Sequence, residues 1–269
     1  MIEKENINID PLIIEDINIE DINIEDIIEH VETEHAGKGA HNIKSITYGG
    51  IDGIITTFAI MSAAIGANLS EKIIIIMGFS NLIADAFSMG FGDYISSNAE
   101  RNYIISERKK ELKEYDIHRN HEIKELIELY VYNGLEIQDA IQLVNILASK
   151  EEYTDLFINQ MMTLELDLPQ PETAKEIFIK SLSTFFSFLF FGSLPLLVFL
   201  ILYINDYDNK NMIFIITCCV SCLTLFFVGA FGAKITKENI FKNGFLTMIN
   251  GIIATSVAFF IGWWIETLL

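Results

Sequence analysis

Apolar positions along this chain fall into five long runs, separated by polar stretches of very unequal length. Three of the runs, Ser181–Asn205, Asn211–Ala233 and Asn243–Ile265, contain no Asp, Glu, Lys or Arg. Each supplies the roughly 20 residues with which an α-helix crosses about 30 Å of hydrocarbon, so each predicts a membrane span. Two further runs carry isolated charges: Ile43–Leu69 holds Lys44 and Asp52, and Ile73–Gly92 holds only Asp85. The count is five spans. Between the second and third lies a polar insertion rich in Glu and Lys, with no glycine between Gly92 and Gly134. Its periodicity predicts helices over Ile95–Tyr115, Asn120–Tyr132, Glu136–Ala148 and Glu151–Leu166. Asn133-Gly134 is a helix stop, Pro169 and Pro171 close the last helix, and the first helix continues the second span without a break.

The pattern predicts an all-α integral membrane protein with five transmembrane helices and a helical domain inserted between the second and third. Its segments are an acidic low-complexity tail (1–33), an interfacial stretch with the first two spans (34–98), the inserted domain (99–172) and the last three spans (173–269). The tail repeats a five-residue unit, Ile14-Glu15-Asp16-Ile17-Asn18 and onward to Ile27, whose period fits neither a helix face nor strand alternation. From Ile27 to Lys44, with His30, His35 and His41, the expectation is a short amphipathic helix at the membrane surface.

Composition sharpens this picture. The chain is 51% apolar yet carries a net charge of −19, and of its 37 acidic residues 12 fall in the first 35 positions and 17 between Glu100 and Glu176. Such a balance, without basic clusters, argues against nucleic acid as a partner. Cys218, Cys219 and Cys222 sit inside an apolar run, as small hydrophobes do. The N-terminus is acidic, unlike a secretory signal. With five spans, 16 of the 18 Lys and Arg residues fall on one side, which predicts a cytosolic N-terminus and a lumenal C-terminus.

Asp52 is the most informative single residue, because a carboxylate inside a span costs on the order of 2.5–3.5 kcal/mol on insertion scales and is usually kept for function. It stands in Gly49-Gly50-Ile51-Asp52-Gly53, where glycines four apart let another helix approach closely. In the second span Asp85, Met89 and Asp93 recur every four residues, hence on one helix face. A methionine in a span is far more often packing than ligand, but beside an acid on a neighbouring helix it would offer a mixed site suited to a borderline transition metal. In the insertion, Glu111 with Glu114 and Glu122 with Glu125 form pairs three apart, and Met161-Met162 precede Glu165 by about a turn. Spacing alone leaves these glutamates equally readable as a solvated face, and His118 and His121 as exposed.

Asp52-Gly53, the stretch Ser88-Met89-Gly90-Phe91-Gly92-Asp93-Tyr94, the paired glutamates and Met161-Met162 with Glu165 together resemble the vacuolar iron transporter family. The resemblance runs from about Glu34 to the C-terminus and leaves out the repetitive tail. It implies a homodimer in the lipid of an intracellular membrane, vacuole-like or endoplasmic reticulum, that moves cytosolic ferrous iron into the compartment in exchange for protons, for storage and detoxification. Carried over by position, Asp52 and Met89 would be ligands of the translocation path, with Asp85 and Asp93 beside them. Glu111, Glu114, Glu122, Glu125, Met161, Met162 and Glu165 would form a cytosolic metal site. Asn81 and Asp85 depart from the expected second-span pattern, which leaves open which acid takes the proton. No permanently bound cofactor is implied; Fe(II) is the substrate, and Zn, Mn or Co suit the same ligands.

The expectation is therefore a secondary active transporter rather than an enzyme. The alternatives are a membrane-bound carboxylate-bridged metalloenzyme and a metal sensor. Against the first, the Glu-x-x-His pairs of helical di-iron sites are absent, since Glu114 and Glu125 stand where the histidines would be. Against the second, a sensor has no need of Asp52 and Met89 within the spans.

Overall fold

A computed structural model describes residues 37–205 and 210–269. The acidic repeat and most of the expected interfacial helix lie outside them. The chain divides into two compact units, Met1–His41 and Asn42–Leu269. Of the first, only the helical residues 37–41 are described, and the second contains everything that follows.

Among the described residues there are seven α-helices and no strand: α1 (Gly37–Gly66), α2 (Glu71–Tyr132), α3 (Ile137–Leu147), α4 (Thr154–Leu164, entered through a 3-10 turn at Glu151–Tyr153), α5 (Ala174–Ile204), α6 (Lys210–Ile235) and α7 (Ile240–Leu268). Five of them, α1, α2, α5, α6 and α7, are long and apolar enough to cross a membrane, as the hydrophobic runs predict. Large apolar side chains such as Ile76, Phe87, Phe190, Phe227 and Trp264 are more than half exposed, a surface that hydrocarbon rather than water must cover.

The 62 residues of α2 would extend about 93 Å if straight, three times the hydrocarbon thickness. Only its first part is apolar. Residues 100–132 carry fifteen Asp, Glu, Lys and Arg and so belong outside the hydrocarbon. The helices expected at Ile95–Tyr115 and Asn120–Tyr132 are thus two arms of one element, divided at His118, whose backbone (φ −125°, ψ 37°) is not helical. The helix stops where Asn133-Gly134 predicts: Gly134 takes φ +106°, which a side chain would disfavour, while its N–H and that of Leu135 bond the carbonyls of Val131 and Tyr130. The expected Glu151–Leu166 helix is shorter, the 3-10 turn taking its first residues. After Pro169 and Pro171 the chain re-enters a span through a capping box, with the Thr173 hydroxyl accepting from the Glu176 N–H and the Glu176 carboxylate from the Thr173 N–H.

Small residues draw the spans together. A Cβ on Gly53 would lie 2.5 Å from the Phe188 carbonyl oxygen of α5, and one on Gly262 of α7 would collide with that of Ala63 in α1. Backbones in this close contact gain dispersion and tight packing, which in lipid must replace the hydrophobic effect between helices. Around them Met61, Ile74, Leu82, Phe188, Leu196 and Phe199 form the buried membrane core. A second core, of Ile104, Tyr115, Leu126, Val144, Phe157, Ile158, Met161 and Met162, packs α3 and α4 against the outer part of α2.

Candidate metal path and carboxylate cluster

The membrane carboxylates stand on α1 and α2. Gly49 and Gly53 press α1 against Thr184 and Phe188 of α5, and Asp52 sits beside that contact, half-buried, with Asp85 of α2 within electrostatic reach. Asp85, Met89 and Asp93 are likewise all half-buried, so the face that their spacing predicts exists. Thr184 of α5 donates its hydroxyl to Asp93 Oδ2 at 3.0 Å, which fixes this carboxylate where α2 leaves α5. Asp85 Oδ2 accepts the side-chain amide of Asn81 one turn before it. The unexpected Asn81 is therefore a partner of the unexpected Asp85. Met89 packs on the membrane core beside Ala86 and Leu82.

At the far end of α2, the kink at His118 does what spacing could not show. In a straight helix Glu111 would stand about 16 Å from Glu122 and 21 Å from Glu125. In the folded chain all of these acids feel one another, and Glu165 joins them from the end of α4. Glu111 is 5% exposed, and its Oε2 is buried without a hydrogen-bond partner. Burial, followed by the charges of Glu165, Glu114, Glu122 and Glu125, raises its carboxyl to about 7. Burial and neighbouring glutamates also raise Glu122 and Glu165 above the usual carboxylate range. A concentration of partly desolvated acids repels itself, and a divalent cation relieves that repulsion.

His121 is exposed, as the sequence predicts, yet its Nδ1 lies 3.6 Å from Glu122 Oε1 and 3.5 Å from Glu125 Oε2. These three residues can present one ligand atom each within 4.8 Å of one another. The signal exists in the sequence as adjacency and i,i+4 spacing, but it gains meaning only beside the other glutamates. Carboxylates with one imidazole suit Fe(II), Mn(II), Co(II) or Zn(II). Met161 and Met162 are 0% and 4% exposed and lie in the apolar core with Phe157, Leu126 and Tyr115. The Glu165 N–H bonds the Met161 carbonyl at 2.9 Å, so this thioether stands one turn from the cluster, and a metal reaching it would have to enter the core.

Comparison with known proteins gives a match of residues 43–263 to the model of the VIT family. The chain is 34% identical over 237 residues to the vacuolar iron transporter of Toxoplasma gondii, covering 87% of this chain and 77% of that protein. It is 33% identical over 238 residues to the vacuolar iron transporter of Plasmodium berghei, covering 87% and 86%. It is similar also to vacuolar iron transporter 1 of Arabidopsis thaliana, 25% identical over 232 residues and covering 86% and 89%.

Proposed function

This chain belongs to the VIT family, that of the vacuolar iron transporters, and we propose that it carries ferrous iron out of the cytosol into a vacuole-like compartment in exchange for protons. The observation that carries the reading is the construction of α2. One helix bears the carboxylate and thioether face of Asp85, Met89 and Asp93 within the membrane, and the cluster of Glu111, Glu114, Glu122 and Glu125 beyond it.

On this reading the insertion is a cytosolic metal-binding domain, because the positive charges gather on its side of the membrane. The cluster captures the hydrated ion, Glu111 giving up its proton as the cation takes its place. Asp52, opposite Asp85, then supplies the charge compensation that water gave outside. Both remain half-exposed in a single chain, which supports closure of the path by a second copy in a homodimer. Protonation of the path acids releases the metal and returns protons, making this a secondary active transporter that serves iron storage and detoxification. Mn(II), Co(II) and Zn(II) fit the same ligands.

The test is uptake into sealed liposomes containing the purified full-length protein, with one internal dye for the metal and another for pH. Fe(II) entry coupled to internal alkalinisation is the expected result. Entry at an unchanged rate under every imposed pH gradient would replace antiport by a channel, and no entry above protein-free liposomes would remove transport altogether.

A further inference from the structure

A cavity of about 540 Å³ opens between α1, α5, α6 and α7, with none of Asp52, Asp85, Met89 and Asp93 in its lining. Ile46, Phe191, Phe227, Val228, Phe231 and Ile240 are among its walls, so its body is apolar, and Phe227 and Phe231 are more than half exposed. At one end the lining includes Lys234, exposed in the last turn of α6. Lys237 and Lys242 follow in the turn and at the start of α7, and Lys44 stands one turn before Thr47, which meets Gly232 of α6 and so fixes Lys44 at the same depth. The acid of this turn, Glu238, is engaged by the side-chain amide of Asn243. Helix α7 begins here as well, its positive dipole end at the mouth of the groove, with Asn239 as N-cap.

An acyl-chain-sized apolar trough that ends at Lys234, with Lys237 and Lys242 in the adjoining turn and helix start, matches one class of molecule: a phospholipid with an anionic headgroup. We propose that this groove is a binding site for such a lipid, its tail lying against Phe191, Phe227 and Phe231 and its phosphate held by Lys234 and Lys237. Charge decides between lipids. A zwitterionic headgroup brings its own cation beside the lysines, whereas a phosphate monoester does not. On the orientation proposed above this is the cytosolic leaflet, where anionic lipids concentrate. The site involves none of the residues assigned to the metal, and its occupancy is measured without transport.

The experiment is native mass spectrometry of the full-length protein released from detergent, titrated with dioleoyl phosphatidic acid. Dioleoyl phosphatidylcholine provides the same tails without net charge, and glycerol phosphate the head without tails. Phosphatidic acid should be retained in preference to phosphatidylcholine, and glycerol phosphate should not displace it. Each of Lys234→Gln and Lys237→Gln should weaken retention by about fivefold, and the double variant by about 25-fold. Thr224→Phe, which fills the trough and leaves the lysines in place, should weaken phosphatidic acid in the same way. Undiminished retention by the double lysine variant, equal retention of phosphatidylcholine, or full displacement by glycerol phosphate would each overturn the proposal. So would efficient disulfide cross-linking of a Phe231→Cys variant between copies, which would give this face to a second protein chain.

Discussion

Replacing Glu111 by glutamine separates the two consequences of building a carboxylate into this cluster. The wild-type group is 5% exposed and titrates near 7 instead of 4.5, chiefly because burial and the charge of Glu165 oppose its ionisation. Between these two values the folded protein holds a proton that the unfolded chain has already released. The folded state therefore binds more protons, and the stability of the metal-free protein falls as pH rises from about 4.5 to 7. At about 1.4 kcal/mol per unit, the full shift would correspond to about 3–4 kcal/mol. Solvent reaches the open side of the cluster, where Glu114 is exposed, and screening there brings the expected loss to on the order of 1–2 kcal/mol. The amide of the Glu111→Gln variant keeps the shape and never ionises. Thermal unfolding of the full-length protein in detergent, followed between pH 5 and 8 with metal removed, should show the variant gaining on wild type as pH rises, with Glu122 and Glu165 shifting both curves alike. Calorimetry with Co(II) at pH 8 should show the opposite, an affinity lower by at least about tenfold (~1.4 kcal/mol). Unfolding curves that stay parallel across the range, together with unaltered Co(II) affinity, would refute the placement of Glu111 among mutually repelling acids.

Asp52→Asn should abolish Fe(II) uptake by liposomes while Co(II) affinity of the cluster persists; uptake at the wild-type rate would place the ion path elsewhere. His121→Ala should lower Co(II) affinity by about tenfold without moving the unfolding temperature, because the ring is 74% exposed and its role is confined to Glu122 and Glu125. An unchanged affinity would make it a solvated histidine. Gly53→Val forces a side chain into the contact of α1 with Phe188 and should destabilise the protein by about 1–3 kcal/mol, visible as a lower unfolding temperature; a wild-type temperature would mean that the two helices do not touch there.

The five spans, the continuation of the second beyond the membrane and the stop at Asn133-Gly134 could all be derived from the sequence, since each obeys a local or one-dimensional rule. Hydrocarbon demands some twenty apolar residues in a row, and a glycine after an asparagine ends a helix wherever it occurs. The shared face of Asp85, Met89 and Asp93 followed equally from helical period. Tertiary structure alone decided what those elements meet. The bend at His118 turns two glutamate pairs, far apart on a straight helix, into one cluster joined by Glu165 and His121. It also gave Met161 and Met162 a place in the packed core beneath. Which glycines of α1 face α5 was equally invisible, because helix pairing in lipid depends on the fit of whole surfaces. Periodicity ranks the positions along one helix, but it carries no information about the distance between two.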